Sequence, residues 1–172
     1  MPEGGSRAML YRVMVLTRLI RYAVYLSILI MLWWMLSTFS FVQIERGDDS
    51  IQGVSGYRRL LVARYAGGEG PVERSDVLVF AMRDVSDRQI FRISRVVGVP
   101  GDRLDSALEC YTLNGKPTEI RVTKAVAPGI VIPEGTYFLV NDNPVSIYAD
   151  SLRLGLIRKE WVVGRFLSEM PF

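Results

Sequence analysis

Few side chains in this 172-residue chain could do acid–base or nucleophilic work. It has no histidine, one cysteine (Cys110) and three lysines (Lys116, Lys124 and Lys159). Without histidine there is no Ser-His-Asp triad, no Cys-His pair and no ordinary histidine-ligated zinc site. Arginine cannot stand in as a base, because its guanidinium stays protonated. A serine hydroxyl is a poor base near neutral pH. No metal or cofactor is expected. The lone cysteine makes no intrachain disulfide, so an external domain would stand on its core alone.

The elements that must position any such chemistry begin with an anchor. Tyr22 to Ile44 is 23 residues without a charge. At about 1.5 Å per residue, that covers a hydrocarbon core roughly 30 Å thick. Arg7, Arg12, Arg18 and Arg21 precede it against one acid, Glu3. Positive charge of this kind stays on the cytoplasmic side. Residues 1–21 are therefore expected as a cytoplasmic basic tail that extends the helix inward, 22–44 as a single membrane span, and 45–172 as a domain outside the cytoplasm, periplasmic or extracellular. The span is too long, and too bulky at Trp33 and Trp34, for a cleaved signal. Tyr25, Trp33 and Trp34 offer a face to a neighbouring membrane helix.

The basic tail accounts for the whole net charge of +3, and the rest balances 17 basic against 17 acidic residues. A nucleic-acid-binding face is therefore excluded. The external part reads as mostly β. Strands are expected at 57–65, 76–82, 90–97, 110–113, 117–123, 136–140 and 161–167, with turns at 66–71, 83–88 and 98–102. Asn114-Gly115 is a strong hairpin signal. The stretch 45–56 has no period and reads as a loop or irregular strand.

Several segments, in order, resemble the type I signal peptidases. Arg74–Phe80 (RSDVLVF) is similar to that family's Arg-Gly-Asp-Val-hydrophobic-hydrophobic-Phe box. Arg92–Asp102 (RISRVVGVPGD) is similar to its Lys-Arg-Val-x-Gly-x-Pro-Gly-Asp box. Leu113–Pro117 matches an insertion hairpin, and Pro133–Asn143 (PEGTYFLVNDN) a box ending Gly-Asp-Asn. Ala149–Gly155 and Val162–Arg165 match the closing Asp-Ser-Arg-x-x-Gly and Val-Gly-Arg. The resemblance implies a β-rich external domain on a membrane helix and a Ser-Lys dyad, a variant of serine nucleophile chemistry.

The same resemblance marks where that chemistry is altered. The dyad lysine must be neutral to accept a proton, and burial lowers its pKa. Its position is Ser94. The nucleophile falls on Asp48 in an ungapped alignment, or on Ser50 with one residue deleted. Ser146 resembles the serine that supports the lysine, and Asp150 with Ser151 resembles the Asp-Ser pair. Asn141 replaces the glycine of Gly-Asp-Asn, and Arg153 stands one position late. The four charges of residues 45–50 are expected in the lipid headgroup zone.

The expected function is that of a membrane-anchored, signal-peptidase-like pseudoenzyme, an accessory or structural subunit in the cell membrane with its N-terminus cytoplasmic. Its partners would be lipid and other integral membrane proteins. The alternatives are an active serine endopeptidase cleaving signal peptides, and a non-cleaving binder of extended peptides by strand addition.

Overall fold

The structure, a computed structural model, describes residues 4–54, 59–64, 71–106, 110–121, 126 and 128–170. Two units are distinct: residues 1–38 and 39–172. In the first, helix α1 runs Gly4–Thr38, so the basic stretch before the uncharged run is helical. Its segment Arg12–Thr38 is 27 residues with mean hydropathy 1.8, long and apolar enough to cross a membrane. Tyr25, Trp33 and Trp34 are solvent-accessible along it.

The helix ends earlier than the uncharged run suggests. Phe39–Gln43 is not helix but strand β1, paired antiparallel with β2 (Arg59–Arg64), Val42 opposite Leu60. Absence of charge cannot separate a lipid-facing helix from an apolar strand. Phe39, Phe41 and Val42 have aromatic or β-branched side chains that favour a pleated surface. Val42 and Ile44 are buried in the domain's own core.

The second unit is built from antiparallel strands. Beyond β1 and β2 these are β3 (Val77–Arg83), β4 (Gln89–Gly98), β5 (Arg103–Ser106), β6 (Cys110–Leu113), β7 (Lys116–Arg121), β8 (Ile130–Val131), β9 (Thr136–Val140), β10 (Ile157–Arg158) and β11 (Val162–Met170), with a one-turn helix α2 (Ser151–Leu154). The main sheet has the order β1-β2-β11-β3-β4-β9-β10, and a smaller sheet the order β7-β6-β5-β8. The fold class is mostly β, as the sequence implied. Expected strand positions 57, 58 and 65, the end of the hairpin at 122–123 and most of the 66–71 turn lie outside the described residues.

Strand β3 is buried on both faces. Val79 joins Leu60, Val62 and Ile93 on one side, while Leu78 and Phe80 join Val96, Leu139 and Ile157 on the other. That is why DVLVFAM shows no alternation. A further cluster of Leu104, Tyr111, Ile132 and Phe138 fixes the smaller sheet, with the Tyr111 and Phe138 rings edge to face. Two glycines permit close approach rather than a turn. A Cβ on Gly164 would lie 2.0 Å from the Ala63 carbonyl oxygen, and one on Gly98 would lie 2.3 Å from Ile132 Cδ1. In the hairpin, Asn114 and Gly115 both take positive φ (51° and 79°), as its turn type requires.

Candidate functional site

Three segments meet at the site: the loop after β1, the middle of β4, and the stretch from the end of β9 to α2. The loop is shaped by its own polar groups. Asp48 N–H donates to the Glu45 carbonyl at 3.2 Å, Gly47 sits at φ 82°, and Asp48 Oδ1 accepts the Ser50 N–H at 3.0 Å. Ile51 and Val54 then bury into the core and hold the loop down. From the other side, the Asp142 N–H donates to the Ser50 carbonyl at 2.7 Å.

The structure brings Ser50 and Ser146 together. Their hydroxyl oxygens are 3.5 Å apart, and both residues are buried. Ser146 Oγ also accepts the Tyr148 N–H at 3.3 Å. Asp48 is adjacent but oriented differently. Its carboxyl takes the Ser50 N–H, and its Oδ2 is buried with no hydrogen-bond partner. So Ser50, not Asp48, is the residue whose side chain stands beside the supporting serine.

Asp48 is 2% exposed, inside the domain rather than at its charged periphery. This corrects the headgroup expectation for that residue; Glu45, Arg46 and Asp49 are exposed. Burial pushes the Asp48 carboxyl above its ordinary 3.8, against the polar contact of Ser50, whose N–H it accepts, and the charge of Arg92. Arg92 Nη1 lies 3.8 Å from Asp48 Oδ2. The same guanidinium contacts Glu45 and stacks 4.8 Å from the centroid of the Tyr148 ring. Tyr148 in turn donates its hydroxyl to the Arg46 carbonyl at 3.1 Å.

Ser94 points into the site from β4 and is fully buried. Its hydroxyl donates to Asn141 Oδ1 at 2.7 Å. Asn141 Nδ2 donates to the Tyr148 carbonyl at 2.9 Å, and its N–H to Asp150 Oδ2 at 3.2 Å. Asp150 caps α2 through the Leu152 N–H at 3.0 Å, and burial raises its carboxyl as well. Ser151 Oγ accepts the Leu139 N–H at 2.8 Å. Asp150 and Ser151 therefore serve the backbone. Arg153 Nη2 donates to the Ser146 carbonyl at 2.9 Å, so its displaced position still reaches the site.

The frame around this centre is strongly tied. Arg95 grips Asp142 with two bonds of 2.7 Å. Arg74 holds Asp102, which also accepts Val99 N–H at 3.0 Å and Asn114 Nδ2 at 2.9 Å. Ser75 takes φ 72°, the left-handed conformation that the glycine of the resembled box would adopt freely. A cavity of about 230 Å³ opens beside the centre, lined by Asn141, Asn143, Ser146, Tyr148, Asp150 and Arg153 among others.

Lys116 opens β7 and Lys159 lies in a 3₁₀ turn before β11; neither belongs to the site. Lys124 lies outside the described residues. Among the described residues no group of three His, Cys, Asp or Glu side chains could hold a metal ion. Sequence reasoning missed Arg92 and Tyr148. Arg92 was within reach, since it shares with Ser94 one face of an alternating strand. Tyr148 gave no signal.

Comparison with known proteins supplies the relationship. Signal peptidase I of Bacillus licheniformis is 26% identical over 62% of this chain and 63% of its own length. Signal peptidase I P of Bacillus subtilis subsp. natto is 24% identical over 84% of each chain. Signal peptidase I of Bacillus caldolyticus is 26% identical over 76% of this chain and 78% of its own. A crystal structure of a signal peptidase I from Enterococcus faecalis V583 aligns over 58% of this chain and 98% of that one, with 19% identity and a TM-score of 0.42. The family model described as signal peptidase, peptidase S26, matches residues 17–170, and the chain belongs to that family.

Proposed function

We propose that this family member does not run the Ser-Lys reaction and serves as a membrane-anchored accessory or structural subunit. The observation that carries the reading is the Ser94–Asn141 hydrogen bond. Two departures from the resembled pattern, serine for lysine and asparagine for glycine, touch each other. The Ser94 hydroxyl is spent on a hydrogen bond to the Asn141 side-chain oxygen. Losing a general base costs orders of magnitude in rate.

The rest of the fold is retained, and binding is the simplest use for it. In this reading α1 spans the membrane once with its N-terminus in the cytoplasm. Tyr25, Trp33 and Trp34 pack against a neighbouring helix, where association rests on close packing rather than on a hydrophobic drive.

The test is incubation of the purified full chain, in mild detergent, with a preprotein bearing a small-x-small cleavage site. No turnover is expected. Cleavage that disappears in Ser50→Ala would overturn the reading. Native mass analysis of solubilised membranes checks the subunit role. Migration with other membrane proteins is expected, and migration as a free monomer of 19.4 kDa plus detergent would remove it.

A further inference from the structure

We propose that Asn114 is a self-modifying site: its side chain cyclises onto the Gly115 amide to give aspartate or isoaspartate, and the fold restrains that reaction by clamping the carboxamide between Asp102 and the start of β5. The proposal is independent of the accessory role, since it concerns covalent change within the chain.

The chain has three asparagines, and only Asn114 is followed by glycine. Asn141 is buried, and Asn143 precedes Pro144, which has no amide hydrogen to lose. A glycine neighbour leaves the attacking nitrogen unshielded by a Cβ. Asn114 and Gly115 are both exposed, so water reaches the turn. The carboxamide is held at both ends. Its Nδ2 donates to Asp102 Oδ1 at 2.9 Å, and its Oδ1 accepts the Arg103 N–H at 2.8 Å. The backbone N–H of Asn114 donates to the Arg103 carbonyl at 2.8 Å. Asp102 is itself buried and gripped by Arg74. Cyclisation turns the carboxamide carbon toward the Gly115 nitrogen and expels the amide nitrogen, so the bond to Asp102 cannot survive it. The reaction in the folded chain therefore waits on local opening of the hairpin.

The chemistry balances with water as the one co-reactant. The Gly115 nitrogen loses its proton and attacks the side-chain carbonyl carbon of Asn114, forming the C–N bond of a succinimide. The C–N bond to the side-chain amide breaks, and that amide takes the proton and leaves as ammonia. Water then adds to either imide carbonyl. Opening at one C–N bond gives aspartate, and opening at the other gives isoaspartate. Neither product restores what was lost. The new carboxylate has no N–H to offer, and where Nδ2 stood a like charge faces Asp102. Isoaspartate also lengthens the backbone inside a turn whose φ values are 51° and 79°. Asp102 ties Arg74, the Val99 N–H and the hairpin to one carboxylate, so the modification unties the β6–β7 hairpin from that junction.

The experiment incubates the full chain in mild detergent and, in parallel, in guanidinium chloride, and maps the peptides by mass spectrometry with aspartate and isoaspartate resolved. Conversion is expected at Asn114, ahead of Asn141 and Asn143. It should run about tenfold slower in the folded chain, the order that one hydrogen bond supplies. Asp102→Ala should bring the folded rate most of the way to the denatured one. Arg74→Ala disturbs the same carboxylate without touching Asn114 and should leave the rate near wild type. Thermal melts establish that each variant is folded at the incubation temperature. Should Asp102→Ala be unfolded there, the folded-to-denatured ratio of the wild type and the two Asn114 variants decide alone. Asn114→Asp, the product made directly, should melt below Asn114→Ala, because it adds repulsion to the lost bond. Equal rates in the folded and denatured chains, conversion at Asn141 or Asn143 ahead of Asn114, a folded Asp102→Ala chain that converts no faster, or Asn114→Asp melting no lower than Asn114→Ala would overturn the proposal. None of these outcomes bears on preprotein cleavage, so the two proposals fail separately.

Discussion

Asp102 and Asp48 are both buried aspartates within reach of an arginine, yet their circumstances are opposite. Asp102, in the turn between β4 and β5, accepts hydrogen bonds from Arg74, the Val99 N–H and Asn114. Burial alone would raise its carboxyl, but those bonds and the Arg74 charge carry it below 3.8. Asp48, in the loop after β1, has Arg92 at 3.8 Å without a hydrogen bond, and one oxygen left unpartnered. Here burial wins and the carboxyl is raised. Asp102 in the frame has its carboxylate fully hydrogen-bonded by protein, while Asp48 at the candidate site has one buried oxygen left unpartnered.

The largest effect that would sharpen this contrast lies in the frame. Gly164 sits against the backbone of β2, where neither partner can give way. Gly164→Ala should cost about 3 kcal/mol, the upper part of the usual overpacking range. Chemical denaturation would show it as a lower midpoint at unchanged slope. A midpoint within error of wild type would mean that β11 and β2 are less rigidly apposed than the geometry requires.

A middle-sized effect belongs to the centre. Ser94→Ala removes the donor to Asn141 and leaves a buried amide oxygen short of a partner, worth about 1–3 kcal/mol. Adding Asn141→Gly to Ser94→Ala should cost much less than the sum of the two single changes, since each deletes one half of the same contact. Ser94→Lys should fold better with Asn141→Gly than without it. Additive costs in this double-mutant cycle would break the inference that the two replacements compensate one another.

The smallest effect is a difference of sign with pH. A carboxyl lowered on folding stabilises the native state above its unfolded value of 3.8, and that contribution is lost as pH falls through the folded value. A carboxyl raised on folding does the reverse: between 3.8 and its folded value the native state holds more protons, so stability falls as pH rises through that window. Asp102→Asn should therefore flatten the acid limb below 3.8, and Asp48→Asn should remove a shallow opposing slope above it. Melting temperatures across the acid range check both. Slopes of the same sign would show that the two aspartates are not in opposite situations.

How much of this was legible in the sequence depends on the range of the interactions. The strand positions of β3, β4, β9 and β11 and the β6–β7 hairpin follow from apolar runs bounded by turn residues, and the structure has them close to where those signals put them. Local chemistry fixed the hairpin, because Asn114-Gly115 carries its own turn preference. The end of α1 was not legible, since Phe39–Gln43 is as uncharged as the helix before it and pairs with a partner about 20 residues on. In the loop around Asp48 and Ser50 there is no period to set a register, so alignment left both residues as candidates. Only the approach of Ser146, from 96 residues away, distinguishes them. The replacement at Asn141 was visible as an oddity, but its reason, the Ser94 hydroxyl, is 47 positions earlier and reaches it only through the β4–β9 pairing.

The contact between Ser94 and Asn141 also decides which substitutions the chain can accept. Placing lysine at position 94 while Asn141 remains would bring a long cationic side chain toward a carboxamide already bonded to the Tyr148 carbonyl. Placing glycine at position 141 first would strand the buried Ser94 hydroxyl. Each single replacement is expected to cost stability, and the two together less than their sum. The two positions are therefore coupled across 47 residues of sequence: a change at either one alone meets the polar group the other leaves behind, and only a joint replacement escapes it.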